Sequence, residues 1–347
     1  MEIKQNNRIL NLDLFRSFAI IFVLYFHISQ MILGDYFNDK NIFIIGKYGV
    51  NMFFVLSGFL IGGMFYRDKQ VNAFKFWIKR FLRTYPPYLV VLLVSWLAVW
   101  ISRKEHFDVG YLFMIQNFYP SIPYFLVSWS LCVEEHFYIT FSILIYAIPV
   151  KRNQQYIWLF LAFAPSVMRF ILGNPYATDF GYYTTATYFQ IDGIALGVLA
   201  SYYVYEKSFT IKSSNFLLIV YSLLFALCCY ATLCFHGTYF YSFGNLIINL
   251  LTVITLLNLF FLSDLKMSKF AFFKLNARMA YSIYLTHPLC IHFCMLMYKY
   301  LSIEFLIVKV LITVLAVYLS SYIFYRAVEK PTILIRDKLL AKKLVYD

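Results

Sequence analysis

Long apolar runs dominate this chain, and short polar or basic stretches separate them. The runs fall near 13–33, 47–65, 86–101, 127–149, 156–172, 187–204, 216–235, 243–262, 279–298 and 304–325. A helix needs about 20 apolar residues to cross the ~30 Å hydrocarbon core of a bilayer. The pattern therefore predicts an all-α polytopic membrane protein with ten transmembrane helices. The first run is long and has no small-residue cleavage site behind it, so it is expected to remain as the first span. In the second, GVNMFFVLSGFLIGG carries glycines that permit close helix approach. The tandem Pro86-Pro87 is expected to open the third span, as prolines do near a helix start. Residues 102–128 read as a loop with a short interfacial helix around YLFMIQNFYP, not as a span. Residues 1–331 form one membrane domain, and 332–347 a short charged tail suited to an amphipathic surface helix.

Composition agrees with this picture. The 347 residues are 62% hydrophobic and 14% charged, with mean hydropathy +0.69, whereas a soluble domain is about 25% charged. The net charge of +13 resembles a nucleic-acid signal until the charges are placed. With the N-terminus in the cytoplasm, ten spans put both ends there, and the inner segments hold 22 of the 30 Lys and Arg. Six of these lie within 66–83, four within 263–278 and six from Arg326 to Lys343. That asymmetry predicts an N-in, C-in topology and accounts for the charge without nucleic acid. The six cysteines show no CxxC pair or Cys/His metal spacing, which points to packing and to no metal site.

Polar residues inside apolar runs are costly unless they face protein or water, so each needs a reason. The stretch RILNLDLFRSFAIIFVLYFH carries Asp13, Arg16 and His27. Asp13 and Arg16 are spaced to pair. Arg16 and His27 are eleven residues apart, on nearly one helix face, with His27 about 16 Å further along the axis. Glu134 and Glu135 lie in the fourth run, in a layer that His27 can share. His287 lies in the ninth run. Arg169 and Asp192 lie toward the outer ends of their spans, and a structural hydrogen bond for Asp192 is as good a reading as a chemical one. The same holds for a single histidine. Lys79, Arg80 and Arg83 add a basic mouth to the third span. A membrane enzyme and a carrier of substrates both leave this trace.

Ordered motifs separate these readings. Arg8, Asp13, Arg16 and His27 stand at the spacing of R-x-x-x-LD-x-x-R followed by ten residues and a His. FFVLSGFLI occupies 53–61, and FWIKRFLRTYPPY carries Lys79, Arg80, Arg83 and Pro86. SWSLCVEEHFY contains Trp129, Ser130, Leu131, Glu134, Phe137 and Tyr138. YSIYLTHPL carries His287, and YRAVEKP carries Arg326, Glu329 and Pro331. Across residues 8–331 the chain resembles the membrane acyltransferase-3 family, the bacterial integral-membrane O-acyltransferases. It departs from the family in having Gln190 where an Arg usually precedes the Asp-Gly pair, here Asp192-Gly193. Some relatives also add a soluble SGNH-type domain after the last span, where this chain has a short tail. Transfer would then be completed by the membrane domain alone or with a partner.

The resemblance implies an O-acyltransferase of the bacterial inner or plasma membrane. It would take an acyl group, often acetyl, from cytoplasmic acyl-CoA as donor substrate, with no permanently bound cofactor. It would place that group on a hydroxyl of a surface polysaccharide or its lipid-linked precursor. Membrane lipids, and a homo-oligomer or a glycan-synthesis partner, are the further partners consistent with it. Guanidinium groups pair well with phosphate, so Arg16, Lys79, Arg80 and Arg83 are expected to bind the donor. His27 is expected to act as general base. Glu134 would orient or charge-balance His27 or an arginine, and His287 would stabilise developing charge or bind donor. Asp13 would fix Arg16. Transport of glycan precursors without acyl transfer is the alternative.

Overall fold

The structure, a computed structural model, describes residues 2–34, 41–67, 72–148, 151–173, 182–234, 238–263, 265–266 and 270–343. The side chain of Arg8 and residues Asp35, Asp39, Lys40, Lys69, His236 and Lys269 lie outside what is described. The described chain is helical, with no strand in it. The long helices are α1 (Glu2–Leu33), α2 (Gly49–Arg67), α3 (Ala73–Arg103), α4 (Trp129–Ala147), α5 (Lys151–Leu172), α6 (Asp192–Glu206), α7 (Asn215–Cys234), α8 (Thr238–Phe261), α9 (Ala271–Tyr300), α10 (Leu306–Phe324) and α11 (Lys330–Lys343).

Among the described residues, eight helices are long and apolar enough to cross a membrane. Ten apolar runs were expected to span, and the two outside the eight still form helices, α4 and α6. Helix α4 opens with the polar stretch around Glu134, Glu135 and His136, which lowers its hydropathy. Helix α6 has 15 residues, about 22 Å at 1.5 Å per residue. It needs no greater length, because Asp192 to Tyr202 are all buried in protein, not facing lipid. The connection 102–128 is a set of short 3₁₀ turns, at Val109–Phe113, Gln116–Phe118 and Leu126–Ser128.

The third span differs from expectation at its start. Pro86 and Pro87 lie inside α3, and the helix begins at Ala73. Asn72 caps it, its side chain accepting from the Lys75 N–H at 3.0 Å. Once capped, the apolar residues of 73–85 have enough face to pack, and the two prolines interrupt the ladder without ending it. In the same turn the Thr84 carbonyl accepts from Tyr281 Oη at 2.6 Å. Lys75, Lys79, Arg80 and Arg83 therefore lie on a helix continuous with the span. Arg80 and Arg83 share a face at i,i+3, while Lys79 is turned about 100° from Arg80.

Helices α2 and α6 approach to backbone contact. A Cβ at Gly58 would collide with the Ile194 carbonyl, and one at Gly197 with the Val55 carbonyl. Small residues allow this approach, which supplies packing where lipid gives no hydrophobic drive. Helices α1 and α9 run side by side in the same direction. Asn276 donates to Ser17 Oγ at 2.7 Å, and His287, eleven residues further along α9, meets His27, ten residues further along α1. This register positions the site.

Candidate active site

The site has two layers along α1 and α9. The first is at the Arg16 end. Arg16 pairs with Asp13 at 2.9 Å. Helix α3 contributes Arg80, whose guanidinium donates to Glu134 Oε2 at 2.8 Å and lies 3.7 Å from Glu135 Oε1. Tyr138, one turn after Glu134 on α4, donates to the same Oε2 at 2.5 Å. Its ring lies under the guanidinium, 4.0 Å from Arg80 Cζ to the centroid, and its hydroxyl also receives an Arg80 N–H. Ser57 from α2 closes the group, 2.6 Å from Tyr138 Oη and 3.3 Å from Glu134. Thr84 donates to Glu135 at 3.2 Å. The carboxylates neutralise Arg80 and hold it in one orientation, since a charge-assisted hydrogen bond is about twice as strong as a neutral one.

This layer borders a cavity of about 150 Å³, lined by Arg16, Arg80, Arg83, Glu134, Glu135, Ser57, Tyr281 and Tyr284 among others. Lys79 does not line it and is exposed. Arg336, assigned by sequence to the tail, retains only 12% side-chain exposure, because α11 packs back against α3. Glu329 lies in a π-helical turn, Tyr325–Glu329, and is fully buried. It accepts from Ser282 at 2.5 Å, and its second oxygen has no partner among the described residues. Turns of this kind are frequent at functional sites.

The second layer is a pair of histidines. The rings of His27 and His287 are 4.7 Å apart between centroids, inclined at 66°. Each places Nδ1 on the carbonyl one turn back, Val23 O at 2.9 Å and Ile283 O at 3.0 Å. A carbonyl only accepts, so Nδ1 carries the proton in each ring, and the neutral imidazole keeps a bare lone pair on Nε2. His287 is fully buried, and its Nε2 has no partner among the described residues. Tyr284 connects the layers. Its ring is 5.8 Å from that of His287, it lines the cavity, and its hydroxyl meets Ser130 Oγ at 2.6 Å.

The structure thus brings Arg16, Arg80, Arg83 and Glu134 to one cavity, with Asp13 paired to Arg16, and His27 and His287 to one pair. It resolves the partner of Glu134. Of the two partners expected for Glu134, His27 or an arginine, the structure pairs it with Arg80, because α3 extends back past Pro86. Tyr138 was named from sequence only as a motif residue without a role, and Ser57, Tyr281 and Tyr284 were not named individually. Helical spacing could have found two of them, since Tyr138 follows Glu134 at i+4 and Tyr284 precedes His287 at i−3. Further along, Arg169 of α5 and Asp192 of α6 form an ion pair at 2.7 Å, each 1% exposed. Arg169 thereby supplies a guanidinium beside Asp192 from another helix. Gln190 instead donates to the Thr184 carbonyl at 2.8 Å.

A family model described as an acyltransferase domain matches residues 9–326. A provisionally named O-acetyltransferase of Staphylococcus aureus strain COL is 28% identical over 174 residues, 44% of this chain and 27% of that protein. O-acetyltransferase OatA of Staphylococcus aureus strain NCTC 8325 / PS 47 is 26% identical over 155 residues, 39% of this chain and 24% of that protein. The matched segments thus span about a quarter of these curated relatives. No solved structure matches the chain.

Proposed function

The chain belongs to the acyltransferase-3 family of integral-membrane O-acyltransferases, and from that premise we propose that it moves an acetyl group from acetyl-CoA to a hydroxyl of a surface polysaccharide or its lipid-linked precursor. The membrane is the bacterial plasma membrane, with the Arg16 end facing the cytoplasm, as the distribution of Lys and Arg supports. The observation that carries this reading is the axial order of the two layers. A cavity lined by three arginines lies at one end, and a histidine pair with a bare Nε2 lies about 16 Å along the same helices.

Arg16, Arg80 and Arg83 meet the phosphates of CoA at the mouth, and the thin pantetheine arm carries the thioester toward Tyr284 and the histidines. Asp13 holds Arg16, and Glu134 with Tyr138 holds Arg80. His27 Nε2 takes the proton of the acceptor hydroxyl as its oxygen bonds to the acyl carbon. The C–S bond then breaks, and the CoA thiolate recovers the proton from the imidazolium. An acyl group held first on the protein would use the same proton path. His287 faces His27 and steadies the charge that develops on it.

Purified protein supplied with acetyl-CoA and de-O-acylated surface glycan from a producing strain should release free thiol and form glycan esters, measured by mass spectrometry. Glycan movement across vesicles without thiol release would overturn the reading in favour of a carrier. Arg83→Gln should raise KM for acetyl-CoA about tenfold with little change in kcat, because a hydrogen bond to a charged group contributes about 1.5–3 kcal/mol. Lys79→Gln, on the other face of α3, should change KM far less. Equal effects of the two would remove the arginine cavity as the donor site.

A further inference from the structure

A second pocket, of about 320 Å³, opens at the opposite end of α1 and α9. Met31 on α1, Tyr298 and Lys299 on α9, and Ser302, Glu304 and Lys309 at and after the α9–α10 turn line it. It begins one helical turn beyond His27, just as the arginine cavity ends one turn before His287, at Tyr284. The histidine pair therefore lies between two cavities on the same two helices.

The wall of this pocket is held in place. Tyr298 Oη donates to the Lys309 carbonyl at 2.8 Å and meets Thr313 Oγ1 at 2.8 Å, which ties the end of α9 to the first turns of α10. Ser302 takes a left-handed conformation, φ 52°, and the Ile303 N–H returns to the Tyr298 carbonyl at 3.0 Å. Lys299 and Lys309 are thereby carried to one pocket from two helices. Cations are scarce on the outer side of a membrane protein, so two on one outer pocket point to an anionic occupant. Glu304 and Ser302 add groups that pair with hydroxyls.

We propose that this pocket receives the acyl acceptor, and that the acceptor carries an anionic group, a sugar carboxylate or a phosphate, seated between Lys299 and Lys309. The proposal rests on the acyltransferase reading above and deepens it. The anion anchors the glycan at the outer mouth and directs a neighbouring hydroxyl inward to His27.

The test uses the full-length protein in detergent, acetyl-CoA, and three forms of the alkali-treated surface polysaccharide of a producing strain: untreated, carboxylate-amidated, and freed of phosphate by hydrofluoric acid. Ester formation should have a KM about tenfold higher for one modified form than for the untreated one, as expected for loss of two charged contacts. Loss on amidation assigns a carboxylate, and loss on removal of phosphate assigns a phosphate. The double variant Lys299→Gln/Lys309→Gln, checked for a wild-type melting temperature, should show the same raised KM on untreated polysaccharide. It should not distinguish the three forms. Equal KM for all three forms with the wild-type protein, or an unchanged KM in the double variant, overturns the proposal. Absence of thiol release and ester formation with untreated polysaccharide overturns the acyltransferase reading beneath it.

Discussion

Replacing His27 with Ala should lower acyl transfer by about 10²–10⁴-fold, the usual contribution of a positioned general base, while the protein still folds and binds acetyl-CoA. The expectation follows from where the ring's two nitrogens go. Nδ1 is committed to the Val23 carbonyl at 2.9 Å, so removal of the ring costs one local hydrogen bond. The Val23 carbonyl keeps its place in the α1 helix. Nε2 is the atom that loses its role, and with it goes the acceptor for the hydroxyl proton. Stability should therefore change little and kcat greatly, with KM for acetyl-CoA held by an arginine layer about 16 Å away. A folded, donor-binding His27→Ala protein that transfers acetyl at the wild-type rate would remove His27 as the base.

Arg169→Ala should destabilise the fold by about 3–5 kcal/mol, the range for breaking a buried ion pair by removing one partner. Arg169 and Asp192 are each 1% exposed. The guanidinium also reaches the Ser242 carbonyl at 3.1 Å, Ser166 Oγ at 3.1 Å, and the Phe189 carbonyl. One substitution would leave a buried carboxylate and two carbonyls short of a donor, in a region that water does not reach. A double variant, Arg169→Met/Asp192→Asn, should recover part of the loss, since no uncompensated charge remains. Thermal unfolding of the detergent-purified proteins reads both effects. Equal melting temperatures for wild type and Arg169→Ala would show that the pair contributes nothing to the fold.

The membrane class and most of the helices were legible from the sequence, because a helix facing lipid must be apolar along its whole length. That constraint acts residue by residue and needs no knowledge of neighbours. It explains why runs such as 13–33 and 279–298 correspond to α1 and α9. It fails where protein replaces lipid. The 15-residue α6 is short because α2 and other helices cover it, and nothing in its own residues states that. Pro86-Pro87 misled for a related reason. A proline pair ends an isolated helix, yet α3 passes through it, supported by the Asn72 cap upstream and Tyr281 from α9.

The candidate site divides along the same line. Asp13 and Arg16 pair within one turn, so their contact was readable from spacing. The axial distance from Arg16 to His27 was readable too, since helical rise sets it. The partners of Arg80, Glu134 and His27 were not. Arg80 meets Glu134 across 54 residues, and Arg169 meets Asp192 from another helix, where Gln190 had suggested a missing charge. His287 meets His27 because α1 and α9 pack in parallel register, with Asn276 on Ser17 below the pair. By itself, then, the sequence determined an α-helical membrane protein of the acyltransferase-3 family and the order of its polar groups along each helix. Tertiary structure alone decided which of those groups face one another. Local periodicity specifies a helix's face, whereas the partner of that face depends on the packing of helices far apart in the chain.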